Sequence, residues 1–201
     1  MTMSTPRLEP QTFDTLTDSQ RVLWDNITTG PRGNPEREHG GLAGPDGALI
    51  GPFNALFQSP EVGDAIQKLG ASIRYGTSLP ADLLEVAICT MGGHWRANFE
   101  FWAHARLAKN AGVSEGAIDA IRDGERPFFG DDRQQAVYQF GRELIENQRV
   151  SDETYETVKN MLGERGVFEV ASVMGYYALV SIGLNTFNVA MPTGVDAPFS
   201  D

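Results

Sequence analysis

Apolar side chains recur every three to four residues along most of the chain. After Pro80, for example, Leu83, Leu84, Ala87 and Ile88 share one side of the helix that this spacing predicts. No segment shows a convincing alternation of polar and apolar residues, which is the pattern of a half-buried strand. The sequence therefore predicts an all-α fold, a helical bundle.

Capping and stop residues divide this pattern into helices. Helix-initiating residues stand at Thr17, Ser59, Ser78, Ser114, Asp131 and Ser151, and helix-ending ones at Gly30, Gly92-Gly93, Gly112, Gly124, Gln148 and Gly163. One helix should end near Gly92-Gly93, and the next should run from about His94 to Asn110. The final helix, Gly166 to Asn188, is apolar nearly all round. Its most apolar part, Val170 to Leu184, is shorter than the roughly 18 to 20 residues of a membrane span, so we expect a buried helix.

The stretch from Gly30 to Pro52 differs in kind, because it holds many of the chain's Gly and Pro residues. This composition predicts a long irregular loop across a helical body. Loops of this length in compact domains are usually functional lids or mobile segments.

Composition narrows the class of protein. The 201 residues suit a single domain, 1–201, and 16 basic against 27 acidic residues give a net charge of −11, which disfavours nucleic acid as a partner. Met1 to Pro10 has no apolar core of a secretory signal, and the single Cys89 cannot form an internal disulfide. A cytoplasmic protein is the simplest interpretation.

Candidate chemistry lies in the helix that follows Gly93. At 100° per residue, Glu100 and His104 point the same way, beside small or apolar residues at Ala97, Leu107, Ala108 and Ala111. A carboxylate four residues before an imidazole can hold one tautomer and raise its pKa, which makes an acid–base unit. The alternative is an incidental helix pair worth about 0.3 kcal/mol.

A second apolar stripe, Trp95, Phe99 and Trp102, follows the opposite side of the same helix. A helix with two apolar faces must be covered on both. The second face therefore packs either on a neighbouring helix of the chain or on another subunit.

The stretch from Leu79 to Ile121 resembles the carboxymuconolactone decarboxylase-like and alkylhydroperoxidase-D-like superfamily. The residues that carry the resemblance are Leu79-Pro80-Ala81-Asp82-Leu83-Leu84-Glu85, Phe99 to Ala108, and Ala111-Gly112-Val113-Ser114. Flanking pieces such as Gly51 to Asn54 and Gly175 to Tyr177 also look like its longer members.

The redox branch of that superfamily has a Glu, eleven further residues, and then Cys-x-x-Cys-x-x-x-His. Glu85 and His104 stand at the Glu and His positions of this pattern, whereas Ala97 and Glu100 replace the two cysteines. Disulfide-based peroxide reduction is impossible with those residues. The carboxylate at the second position instead resembles the decarboxylase-like branch.

That resemblance implies a cofactor-independent acid–base enzyme, a decarboxylase or a lyase or isomerase, acting on a small carboxylated or lactone compound. His104 would be the general acid or base, Glu100 would orient it, and Glu85 would supply or relay a proton. Weaker candidates for the pocket are His94, Cys89, Ala97, Phe53 and Tyr177. The resemblance also implies a homotrimer or a dimer of trimers.

Other functions stay open at this point. Peroxidase-type activity would need a partner thiol or Cys89, but Cys89 lies one turn after Glu85, and a nearby carboxylate suppresses a thiolate. A non-catalytic ligand-binding or assembly protein is a further alternative. Metal binding is disfavoured, because di-iron bundles use Glu-x-x-His from two helices and only one Glu-x-x-x-His is present.

Overall fold

A computed structural model describes residues 5–33 and 42–199. These residues form eight α-helices: α1 (Asp18–Thr28), α2 (Phe53–Leu56), α3 (Pro60–Gly76), α4 (Ala81–His94), α5 (Asn98–Asn110), α6 (Glu115–Asp123), α7 (Asp132–Asn147) and α8 (Asp152–Thr186). Within the described ranges there is no strand, only an isolated bridge between Ala43 and Leu49. The all-α prediction is confirmed.

Local capping chemistry places most of the helix ends where the sequence predicts them. The Thr17 amide donates to Gln20 Oε1 at 2.9 Å, and the Asp131 carboxylate accepts from the Arg133 amide at 2.8 Å. Gly124 and Gln148 end α6 and α7 in the left-handed region, with φ of 74° and 55°. These contacts satisfy amide and carbonyl groups that a helix end otherwise leaves without partners.

The turn between α4 and α5 differs from the prediction. α4 continues to His94, and α5 begins only at Asn98, so Trp95 and Ala97 lie in the connection and not on the second helix. The Ala97 amide donates back to Gly92 O at 3.0 Å, and Arg96 adopts a positive φ of 47°. This compact turn replaces the first helical turn that the predicted start at His94 would require.

The last helix is longer than predicted, because α8 joins two helical stretches across Gly163. That glycine has φ 72° and ψ 173°, a conformation that residues with a side chain rarely adopt. By length and composition α8 could cross a membrane, and its most apolar window has a mean hydropathy of 1.6. However, 56% of that window is buried within the chain, as in the core helix of a globular protein.

The described contacts divide the chain into two compact units. The first unit, the described part of Met1–Gly76 with Gly183–Val195, contains α1, α2 and α3. Its core is built from Leu16, Leu23, Ile27, Leu49, Phe53 and Phe57. The Gly- and Pro-rich stretch falls in this unit, and its residues 34–41, including His39, lie outside the described residues.

The second unit, Thr77–Ile182 with the described part of Asp196–Asp201, contains α4 to α7 and most of α8. α4 is at its centre, packed against α5, α6 and α7, and its side chains from Leu83 to Gly92 are all buried. Full burial of one Leu or Ile side chain stabilises a fold by about 1.5–3 kcal/mol. The same burial holds the polar residue Glu85 inside the unit.

Candidate active site

The candidate site is formed by three helices of the second unit. α4 contributes Glu85, α5 contributes Glu100 from its first turn and His104 one turn later, and α8 contributes Tyr177. The side chains of Glu85 and Glu100 are 3% and 5% exposed, and that of His104 is 11% exposed. A cluster of three ionisable groups is therefore held almost out of water.

His104 lies between the two carboxylates. Its Nδ1 donates to Glu85 Oε2 at 2.7 Å, across the α4–α5 pair. Its Nε2 is 3.1 Å from Glu100 Oε1, the contact expected for residues four apart on one helix. The structure thus brings together the three residues that the sequence singled out for acid–base chemistry.

Aromatic packing covers one side of the imidazole. The Tyr177 ring meets the His104 ring in a T-shaped arrangement, with centroids 5.0 Å apart and planes at 77°. Tyr176 packs on Tyr177 in turn at 5.2 Å, and both tyrosines are buried. This packing restricts rotation of the imidazole about its side-chain bonds and makes its surroundings less polar.

The charges around His104 favour its protonated form. Burial alone would lower the pKa of the imidazole, but the adjacent carboxylates of Glu85 and Glu100 outweigh that effect and raise the pKa above its usual value. The two carboxylates therefore favour the imidazolium form in a site that is nearly out of water, and an imidazolium can act as a proton donor.

The Glu100 carboxylate is only partly satisfied. Its Oε1 is buried, and although it lies close to His104 Nε2, the contact is not a well-directed hydrogen bond and no other group in the described part of the chain bonds this oxygen. A buried carboxylate oxygen without a hydrogen bond is unusual and costs about 1–3 kcal/mol. An atom of this kind can accept a hydrogen bond from a water molecule or a ligand.

Ala97 and Glu100, the two residues that correspond to cysteines in the pattern of the redox branch, have different surroundings. Ala97 is completely buried at the N-terminus of α5, where a thiol would face its neighbours and not water. Glu100 points to the imidazole, as described above. Cys89 is 1% exposed on α4, one turn after Glu85, and is the only thiol in the sequence.

Two of the weaker candidates are placed elsewhere. His94 ends α4 and is exposed, and its ring meets the edge of Trp95 at 5.4 Å. Partial burial and the charge of Arg142 lower the pKa of His94, which makes it a neutral imidazole near pH 7. Phe53 belongs to the core of the first unit. No contact described for either residue joins it to His104.

One neighbour of the site was not marked by any sequence pattern. Phe199, near the end of the chain, donates its amide to Asn98 Oδ1 at 2.8 Å and packs edge-on against Phe101 at 5.2 Å. The Arg96 guanidinium lies 5.1 Å from the centre of the same ring. This segment holds the first turn of α5, from which Glu100 projects. Only the Pro198-Phe199 pair in a polar tail hints at it.

Among the described residues no group of three or more His, Cys, Asp or Glu side chains is arranged to hold a metal ion. The arrangement has features that suit proton transfer. It has an imidazole whose raised pKa favours a bound proton, a carboxylate hydrogen-bonded to that imidazole, and a second carboxylate oxygen without a well-directed hydrogen bond.

Comparison of the sequence with protein-family models and with curated proteins gave no match. The fold, in contrast, is shared with several solved structures. A peroxidase-related protein from Ralstonia eutropha JMP134, described as an alkylhydroperoxidase AhpD core, superposes with a TM-score of 0.69 at 13% identity and covers 94% of this chain and 93% of its own. A peroxidase-related protein from Silicibacter sp. TM1040 gives 0.67 at 13%, covering 94% and 92%.

The debrominase Bmp8 is similar to the same extent, with a TM-score of 0.68 at 11% identity over 96% of this chain and 95% of Bmp8. At these identities the likeness concerns the fold. The chain therefore has the AhpD-like all-α fold over nearly its whole length, and the resemblance first seen between Leu79 and Ile121 is confirmed at that level.

Proposed function

We propose that this protein is a cofactor-independent acid–base enzyme, a decarboxylase or a lyase or isomerase that acts on a small carboxylated or lactone compound. The observation that carries the proposal is the buried contact of His104 with both Glu85 and Glu100. The two carboxylates raise the pKa of the imidazole above its usual value and so favour a proton in this buried site, where an acid–base reaction could use it.

Both reactions require the protein to supply or remove a proton. In a decarboxylation the bond between the substrate carbon and its carboxylate breaks, carbon dioxide leaves, and the electron pair remains as an enolate. The acid of the cluster then gives its proton to that carbon. In a lactone isomerisation the base removes a proton from a carbon next to the carbonyl and the acid returns one further along. A general acid or base of this kind contributes about 10² to 10⁴ in rate.

The test is deuterium exchange in heavy water. A panel of small γ-lactones and lactone carboxylates is incubated with the wild-type protein, and deuterium incorporation and carbon dioxide release are followed by NMR and mass spectrometry. Exchange or release that His104→Ala abolishes supports the proposal. Exchange at equal rates with the wild-type protein and His104→Ala would contradict it, and so would a full panel without any reaction.

Peroxidase-type activity is the second candidate, because two of the proteins that share the fold are peroxidase-related. The chain has no cysteine pair, so this activity would depend on Cys89 and an added thiol as reductant. Cys89 is 1% exposed, which leaves its sulfur poorly accessible to a peroxide. Hydrogen peroxide consumption that requires a thiol donor and disappears in Cys89→Ser would favour this function over the acid–base one.

We also propose that the protein is a homo-oligomer, as expected from its apolar stripes. Phe99 and Trp102 on α5 are partly exposed and pack on each other at 5.6 Å. On α8, Phe168, Leu179 and Ile182 are 73%, 44% and 45% exposed. Exposed apolar surface of this extent on a long helix commonly marks a subunit interface. Light scattering should give a multiple of the 21.9 kDa chain mass, and the chain mass itself would refute an oligomer.

A further inference from the structure

We propose that Glu100 is the catalytic residue that exchanges a proton with the substrate, and that His104 is a positioning residue that holds a positive charge beside it. This assignment rests on the proposed acid–base function and reverses the roles that the sequence pattern indicates for the two residues. It is argued from the contacts of the three side chains.

Both nitrogens of the His104 ring face a carboxylate, Nδ1 through a hydrogen bond and Nε2 through a close contact. Nδ1 is bonded to Glu85 Oε2 at 2.7 Å, and Nε2 lies 3.1 Å from Glu100 Oε1. An atom of a substrate can reach Nδ1 only by displacing Glu85, and Nε2 only by displacing Glu100. The side chain keeps 11% exposure, but that exposure frees neither nitrogen from its carboxylate.

Glu100 has the opposite property. Its Oε1 is buried without a well-directed hydrogen bond, so a lone pair of this oxygen is available for a proton donor. A substrate C–H or O–H group that approaches this oxygen gives it the partner it lacks. A general base must be within hydrogen-bond reach of the proton it removes, and a substrate that reaches Glu100 Oε1 would meet a lone pair that no other described group engages in a well-directed hydrogen bond.

The start of α5 explains why this carboxylate is available. Glu100 is the third residue of the helix, and a Glu at that position often folds back onto the amide of the N-cap residue. Here the N-cap residue is Ala97, and its amide already donates to Gly92 O at 3.0 Å. The glutamate is therefore not needed for capping.

The proton-transfer step then balances without a further reactant. The Glu100 carboxylate takes a proton from a carbon next to the carbonyl of a lactone, and the C–H electron pair moves into an enolate. The neutral Glu100 acid returns the proton to a different carbon of the same enolate. The His104 imidazolium stays protonated throughout and stabilises the negative charge, which shifts between Glu100 and the enolate.

Covalent labelling tests which group is reachable. The probe is p-nitrophenyl glycidyl ether, an uncharged epoxide, applied to the full-length wild-type protein. A reactive carboxylate oxygen bonds to the terminal epoxide carbon, the ring C–O bond breaks, and the alkoxide takes a proton from water, which leaves an ester. Peptide mapping by mass spectrometry identifies the labelled residue.

We expect an ester on Glu100, retained in His104→Asn and lost in Glu100→Gln. Glu169 serves as the matched control, because it is similarly buried but its oxygens accept three hydrogen bonds, and it should stay unlabelled. Alkylation of a His104 nitrogen, of Glu85, or of none of the three overturns the assignment. If deuterium exchange on the lactone panel depends on His104 while the label is on its ring, the acid–base function stands and only this assignment fails.

The positioning role of His104 has its own signature. Nitrogen-15 NMR should show the His104 ring protonated on both nitrogens at a pH above about 6.5, where a free imidazole becomes neutral. The protein has three histidines, so His39→Gln and His94→Gln variants assign the signal. Glu85→Gln should return the ring to its neutral form over that range, with unchanged circular dichroism. A neutral His104 ring in the wild-type protein would contradict the role.

Discussion

Two buried glutamates of the second unit have similar exposure and opposite surroundings. Glu169 on α8 is 8% exposed and accepts hydrogen bonds from the amide and hydroxyl of Ser78, at 2.8 and 2.7 Å, and from Arg165 Nε at 2.8 Å. Glu100 on α5 is 4% exposed, and its Oε1 accepts none. Glu169 therefore joins α8 to the segment before α4. Glu100, in contrast, lowers the stability of the fold, because its buried oxygen lacks a hydrogen bond.

The number of hydrogen bonds that a buried carboxylate accepts indicates whether it has a structural role or is available for chemistry. A buried carboxylate with several donors stabilises the fold, because its desolvation is offset by charge-assisted hydrogen bonds. A buried carboxylate with an oxygen that accepts no hydrogen bond destabilises the fold by about 1–3 kcal/mol, and that oxygen stays available to another donor. Two glutamates with similar burial thus have different roles, one structural and one available for chemistry, according to the hydrogen-bond donors around them.

The largest effect that follows from this contrast is on activity. His104→Ala and Glu100→Gln should each lower turnover by about 10² to 10⁴, which is the range for the loss of a general acid or base or of the group that maintains it. Steady-state kinetics on a lactone that the wild-type protein converts would measure it. Glu169→Gln is the matched control and should retain wild-type turnover. Equal losses in all three variants would mean that the contrast is mistaken.

The next effect concerns the first turn of α5. Phe199→Ala removes the ring that packs on Phe101 and under Arg96, and we expect a loss of up to about 3 kcal/mol in the free energy of unfolding. Urea denaturation followed by circular dichroism would measure it. Phe128→Ala, at a residue 84% exposed, is the control and should cost little. If both variants were equally stable, the terminal segment would not be holding the helix.

Removal of the structural glutamate should lower stability by a smaller amount. Glu169→Ala leaves the Ser78 amide and hydroxyl without their acceptor, at about 1–3 kcal/mol. Glu100→Gln, in contrast, removes a charge that favours the His104 imidazolium but also an oxygen without a hydrogen bond, so the free energy of unfolding should fall by less than in Glu169→Ala. Denaturant midpoints of the two variants would decide, and a large loss in Glu100→Gln would show that this residue too is structural.

Stability should also depend on pH in two opposite ways. The amide of Ser151 and the Thr154 hydroxyl lower the pKa of Glu143 from 4.5 to about 2, so its contribution is present above pH 4.5 and is lost as the pH falls toward 2. The raised pKa of His104 acts in the other sense. Its contribution is present below 6.5 and is lost as the pH rises through the raised value.

Urea denaturation across this pH range would show both limbs. Glu143→Gln should flatten the acid limb and leave the alkaline limb intact, and His104→Asn should do the reverse. If Glu143→Gln flattened the alkaline limb, or His104→Asn the acid limb, the pKa shift assigned to that residue would be contradicted.

The smallest effect should come from the thiol. Cys89→Ser places a hydroxyl in a buried position, so a modest loss of stability is expected, but turnover should change by less than about tenfold because no general acid or base is removed. The same kinetic assay measures it. Loss of activity in this variant, with His104→Ala active, would establish the peroxidase-type alternative.

Much of this architecture follows from local rules that a sequence states directly. The caps at Thr17 and Asp131, the left-handed end at Gly124 and the break at Gly163 depend on the chemistry of a few neighbouring residues, and they are where the pattern predicts them. The boundary between α4 and α5 was misplaced by about four residues, because the Ala97 amide bonds to Gly92 O, and helical periodicity does not foresee such a turn.

The sequence by itself determined that Glu100 and His104 share a face, since that is a property of helical spacing, and that the chain has a single cysteine, Cys89. Only the tertiary structure decided that Glu85 reaches Nδ1 from nineteen residues away, that Tyr177 packs on the imidazole, and that Glu100 keeps an oxygen without a hydrogen bond. These depend on how α4, α5 and α8 pack in three dimensions. Local spacing constrains neighbours along one helix, but the donors that a buried group receives are set by the helices packed around it.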